Sequence, residues 1–167
     1  MAALKLVTAL VLDDNAHMRA LLREILAGFG LRQSFEAADV KSALAIVAGA
    51  GIDVALVDFK LASEDGTVFC RAVRGHTDTA VAYLPIIMVT AYSERLRVIE
   101  AINAGVDEFL VKPVRPMDIA SRLNAVIERR RQFVRAPDYF GPDRRRRNDP
   151  RFTGPHRRFG DGGVVDI

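Results

Sequence analysis

Five short apolar runs, each separated from the next by a longer segment of helical period, constrain this chain more than any other feature. The runs are Leu6–Leu12, "QSFEA" at 33–37, "IDVALVD" at 52–58, "PIIMVTA" at 85–91 and "EFLVK" at 108–112. Between the first two, Met18, Leu21, Leu22, Ile25, Leu26 and Phe29 recur at the spacing of one helix face, and Gly30 is placed to end that helix. Helices are likewise predicted over Val40–Ala48, 67–74 and 95–105, the last stopped by Gly105. The final one covers 115–133, with Pro116 suited to its first turn. The third run is apolar at nearly every position, as a strand covered on both faces must be. Strands that alternate with helices in this way predict an α/β fold: a doubly wound, five-stranded parallel sheet with five helices.

In such sheets ligands sit at the carboxyl ends of the strands, where the strand order reverses. The residues that close the apolar runs are Asp13 and Asp14, Asp58, Thr90 and Lys112. Adjacent aspartates are an expensive way to end a strand. Two carboxylates about 4 Å apart repel by roughly 4 kcal/mol at an effective dielectric of about 20. If Asp58 joins them from a neighbouring strand, three carboxylates share one hollow, and a hard divalent cation resolves the conflict. Mg²⁺ takes oxygen ligands and is usually held by one or two carboxylates plus phosphate oxygens. The plainer alternative is that Asp14 or Asn15 only caps the first helix. Lys112 would add a fixed positive charge to the hollow and Thr90 a hydroxyl. A carboxylate nucleophile, a metal, a lysine and a hydroxyl are what phosphoryl transfer to aspartate requires.

The stretches "LVLDDNAHMR", "ALVDFKLASEDG", "IIMVTA" and "EFLVKPV" resemble the receiver domain of two-component response regulators, most nearly the single-domain chemotaxis type. The resemblance spans residues 5–134 and implies the flavodoxin-like strand order 2-1-3-4-5. It implies Asp58 as phosphoacceptor, with Mg²⁺ bound directly by Asp14, through water by Asp13, and by Asp58 and the backbone carbonyl of Lys60. Thr90, Ala91 and Lys112 would bind the phosphoryl group, Thr90 and Phe109 would form the switch, and the bond before Pro113 would be cis. Lys60 and Tyr92 stand at positions that tune phosphate lifetime in the family. Leu61-Ala62 replaces the usual Met-Pro. The implied partners are a histidine kinase or phosphotransfer protein as donor and an unidentified downstream protein, in a cytoplasmic setting with no membrane involvement. One cysteine, Cys70, excludes a disulfide framework and is expected in the core, and the three histidines show no metal-ligand spacing.

Charge divides the chain unevenly. Residues 1–134 carry 16 Lys+Arg and 16 Asp+Glu, whereas 135–167 carry 8 Arg against 5 Asp, so the whole excess of +3 lies in the last 33 residues. This predicts a folded body over 1–135, a receiver domain by the resemblance above, and an Arg/Gly/Pro-rich tail over 136–167. The tail has no apolar period and is expected to be disordered and dispensable for folding. It contains a repeat: Tyr139-Phe140-Gly141-Pro142-Asp143-Arg144-Arg145 aligns with Phe152-Thr153-Gly154-Pro155-His156-Arg157-Arg158. The repeat reads as a duplicated recognition element for a protein partner. Two other functions stay open at this point. One is nucleic-acid binding through the arginines, against which stands a body with no basic excess. The other is a phosphohydrolase with an aspartate nucleophile after its first strand.

Overall fold

The computed structural model describes residues 6–31, 33–91 and 95–144, and the short strand Val164–Val165. Strands β1 (Thr8–Leu12), β2 (Gln33–Ala37), β3 (Val54–Asp58), β4 (Ile86–Thr90) and β5 (Glu108–Val111) pair in parallel in the order β2-β1-β3-β4-β5. β3 and β4 are buried at all five positions, because helices cover both faces of the sheet. Alternation along each strand sorts the core into two layers. Leu10, Leu12, Val57, Ile86 and Met88 pack against Ala43, Phe69, Val73 and Ala101. Those last four lie on α2 (Val40–Gly49), α3 (Thr67–Arg74) and α5 (Arg95–Asn103). Val11, Leu56, Ile87 and Val89 face the other way, onto Leu22, Leu26, Ile119 and Leu123 of α1 (Ala16–Gly28) and α6 (Pro116–Glu128).

Among the described residues there are six helices rather than the expected five. The additional one, α4 (Thr79–Ala82), is a single turn opened by the Asp78 carboxylate, which accepts from Ala80 N at 2.9 Å. One turn is too short to leave a period in the sequence. Gly30 and Gly105 end α1 and α5 as predicted, both at positive φ (81° and 88°), where side chains are strained. Cys70 lies in the core.

The carboxyl-terminal region departs most from the sequence-based expectation. The last helix ends at Glu128 instead of running to 133, and residues 133–136 and 139–142 form strands. β6 (Phe133–Ala136) and β7 (Tyr139–Pro142) form an antiparallel hairpin, and β8 (Val164–Val165) pairs with the other edge of β6. The cause is tertiary. Phe133 is fully buried beside Tyr83, and the Arg131 guanidinium turns to the carbonyls of Asp107 and Asp143. Beneath the hairpin, buried Arg74 at the end of α3 donates to the carbonyls of Gly105, Ala82 and Leu84 and pairs with Asp107 at 2.8 Å. This network joins the amino ends of β4 and β5, the pole opposite the strand-end aspartates.

Candidate functional site

Strand order reverses around β1, so the crevice opens between the carboxyl ends of β1 and β3. Asp13 and Asp14 follow β1 and Asp58 is the last residue of β3. Carboxylate oxygens from all three lie within 4.8 Å of one another. Asp13 is 1% exposed and Asp58 8%, while Asp14 faces solvent. Their convergence depends on the chain turning at Asp13, whose Oδ1 accepts from Asn15 N at 2.8 Å.

The capping alternative is answered residue by residue. Asn15 is the N-cap of α1, accepting from His17 N at 2.9 Å and Met18 N at 3.2 Å. Arg19 holds the preceding turn from below, donating to the carbonyls of Asp13 (2.8 Å) and Asp14 (3.2 Å) and pairing with Glu36 of β2. Sequence reading missed this role for Arg19, because an arginine on an amphipathic helix is ordinarily a solvated one.

Lys112, just beyond β5, brings its ammonium to 3.0 Å from Asp58 Oδ2 and 3.3 Å from Asp13 Oδ2. A backbone hydrogen bond from Lys112 N to Thr90 O (2.8 Å) ties the ends of β4 and β5 together, and the Lys112–Pro113 bond is cis. Burial pushes the Asp58 carboxyl up from the ordinary aspartate value; Lys112 opposes that shift and the Asp13 charge adds to it. Burial works against the Lys112 ammonium, yet the hydrogen bond and charge of Asp58, with Asp13 behind them, carry its pKa above the usual lysine value. Three carboxylates thus face one ammonium. The donors are all hard oxygens, and the set fits a small divalent cation better than it fits itself.

Thr90 is 3% exposed at the end of β4, and Ala91 beside it is exposed. Phe109 is half-buried on β5, paired in register with Met88 and packed against the layer that holds α2, α3 and α5. Lys60 lies in the β3–α3 loop, its ammonium 3.1 Å from Asp65 Oδ1. Asp65 also receives Arg97 of α5 at 3.9 Å, and that guanidinium lies 5.4 Å from the centre of the Phe59 ring. The loop closes so tightly that a Cβ on Gly66 would lie 2.1 Å from Asp58 O. Tyr139, Phe140 and Arg144 lie in or beside the hairpin at the opposite pole. Tyr92, Arg145, Phe152, Arg157 and Arg158 are outside the described residues.

Comparison with known proteins agrees with this geometry. The family model for the response regulator receiver domain matches residues 9–124. The chain is 32% identical over 120 residues to the chemotaxis protein CheY of Pseudomonas aeruginosa, covering 72% of this chain and 95% of that one. It is 35% identical over 127 residues to the transcriptional regulatory protein GltR of the same organism, covering 75% of this chain and half of GltR. Among solved structures, the chemotaxis response regulator CheY4 of Vibrio cholerae superimposes with a TM-score of 0.67 at 28% identity, over 73% of this chain and 99% of that one. No described helix is long and apolar enough to cross a membrane. The matched span contains the parallel sheet apart from Thr8 and every residue of the aspartate–lysine hollow, and the chain belongs to the response regulator receiver domain family.

Proposed function

We propose that this chain is a phosphorylation-dependent signalling switch that accepts a phosphoryl group on Asp58 from a histidine kinase or phosphotransfer protein and signals by protein–protein contact. The observation that carries the reading is the convergence of Asp13, Asp14 and Asp58 within 4.8 Å, closed by Lys112 at 3.0 Å from Asp58. An Asp58 oxygen attacks phosphorus, the O–P bond forms, and the P–N bond to the donor imidazole breaks. Asp14, Asp13, Asp58 and the Lys60 carbonyl are the groups that would hold Mg²⁺. Bound there, the ion would neutralise phosphoryl oxygens as charge shifts onto them. Lys112 supplies a second, permanent cation, anchored between Asp13 and Asp58 and therefore in place before the donor arrives. Thr90 and Ala91 form the wall beside it, the hydroxyl as a donor to the new phosphoryl group. Movement of Thr90 toward that group would change the packing of Phe109 and the surface of α5, β5 and α6. Lys60, held by Asp65, and Tyr92 are the residues assigned to tuning the lifetime of the acyl phosphate. The setting is cytoplasmic.

The phosphohydrolase reading needs a nucleophile just after β1. Asp13 has one oxygen on Asn15 N and the other on Lys112, which suits a positioning carboxylate. The nucleic-acid reading rests on the arginines of the tail alone, since residues 1–134 carry equal numbers of basic and acidic side chains.

The test is incubation of the full chain with Mg²⁺ and a small acyl phosphate, followed by mass mapping. One phosphoryl group on Asp58 is expected. Asp58→Asn abolishes it, and Asp14→Ala abolishes the dependence on Mg²⁺ together with the labelling. Phosphate on any other residue of the wild-type chain overturns the assignment.

A further inference from the structure

We propose that the first aromatic-x-Gly-Pro-x-Arg element, Tyr139–Arg144, is the chain's own strap. It docks on the base of the receiver and completes its fold, whereas the second copy, from Phe152, lacks the anchor for that role.

Contacts within the first copy separate into two kinds. One kind locks the element to itself. Tyr139 Oη donates to Pro142 O at 2.7 Å, and the Arg144 guanidinium stacks 3.9 Å from the centre of the Tyr139 ring. The other kind fastens it to the body. The Phe140 ring meets Tyr83 edge-on at 5.1 Å and Phe133 at 5.4 Å, with Arg135 over its face at 4.4 Å. Gly141 lies backbone-to-backbone on Gly105, where an added Cβ would stand 2.9 Å from Gly105 Cα. Asp143 N donates to Gln132 O at 2.7 Å, and Arg131 closes the hairpin onto Asp143 and Asp107.

The second copy keeps an aromatic at Phe152, Gly154-Pro155 and Arg157, but Phe152 lacks the hydroxyl that Tyr139 donates to Pro142 O. At the position of Phe140 it has Thr153, which has no ring to pack against the touching rings of Tyr83 and Phe133. Aromatic pairs contribute beyond the area they bury, so the missing ring removes the main side-chain contact between the element and the body. The docking surface belongs to the amino ends of β4 and β5, separated from the aspartate hollow by the length of a strand, about 15 Å. A strap there leaves the hollow open.

Equilibrium urea unfolding and amide exchange of the full chain test the proposal. Phe140→Ala should lower the folding equilibrium constant by about ten- to a hundredfold and speed exchange at Gly105 and Asp107. Phe152→Ala should change the constant by no more than about twofold. Phe140→Thr, which gives the first copy the residue of the second, should behave as Phe140→Ala does. Should neither variant accumulate as folded protein, Phe140→Leu keeps the volume without the ring and should still speed exchange at Gly105. Equal midpoints for Phe140→Ala and Phe152→Ala overturn the proposal, and so does exchange at Gly105 that ignores every Phe140 variant.

Discussion

Replacing Arg74 by methionine should destabilise the protein more than any surface change, and more at neutral than at acid pH. The side chain of Arg74 is 4% exposed and its guanidinium serves four acceptors. Three are carbonyls, at 2.9 Å (Gly105), 2.9 Å (Ala82) and 2.7 Å (Leu84), and the fourth is Asp107 Oδ2 at 2.8 Å. Methionine preserves most of the apolar stem and takes this donor away from all four. Asp107 keeps one partner, Ile86 N at 2.8 Å. Removing one member of a buried pair costs about 3–5 kcal/mol, a large share of the roughly 5–15 kcal/mol that stabilises a domain of this size. With a urea slope of about 2 kcal/mol/M, the midpoint should fall by about 2 M. The sign of the pH dependence follows from Asp107. Burial already pushes its carboxyl above the ordinary aspartate value, with Arg74 pulling against the shift. Without Arg74 the shift grows, and the folded state holds a proton that the unfolded chain has released. Stability of the variant must then fall as pH rises from the unfolded carboxylate value toward neutrality, and the loss against wild type should be smaller at pH 5 than at pH 8. Adding Asp107→Leu removes the stranded carboxylate and should recover part of the loss at pH 8. A single variant that loses less than about 1 kcal/mol, or a double variant no more stable than the single, would refute the reasoning.

Gly66→Ala should cost about 1–3 kcal/mol through overpacking, since its Cβ would strike the Asp58 carbonyl. Because that carbonyl adjoins the acceptor, Mg²⁺-dependent labelling at Asp58 should fall as the melting temperature falls; a variant with an unchanged melt shows the loop to be slack. Cys70 is fully buried, and its thiol is pushed up to about 12 by desolvation. At pH 8 it should resist alkylation in the folded protein and react only at the rate of unfolding, and fast native labelling would contradict the burial. The unfolded chain ionises its thiol near 9, before the folded chain does. Cys70 should therefore withdraw stability as pH rises between those values, at up to about 1.4 kcal/mol per pH unit, a slope that Cys70→Ala should lack.

The sequence by itself determined the sheet and the identity of the strand-end residues. Runs such as "VALVD" and "IIMVT" are apolar at successive positions, which only a strand covered on both faces tolerates, and the spacing of Leu22, Leu26, Leu123 and Val126 marks the faces of the covering helices. Asp13, Asp14, Asp58, Thr90 and Lys112 were visible because each interrupts an apolar run at its carboxyl end. Only the tertiary structure decided how they meet. Lys112 reaches Asp13 across 99 residues of sequence, and Asn15 rather than Asp14 caps α1 and leaves the aspartate turned toward solvent. Arg19, Arg74 and Asp107 gave no signal, since a lone charged residue on a helix or in a loop reads as solvated until the fold supplies its partner. The hairpin at 133–142 was hidden for a related reason. Its strands are four residues long, carry Arg, Gly and Pro, and have no period of their own. What orders them is a surface built by Tyr83, Gly105 and the Arg74 network, residues that come together only once the sheet has formed.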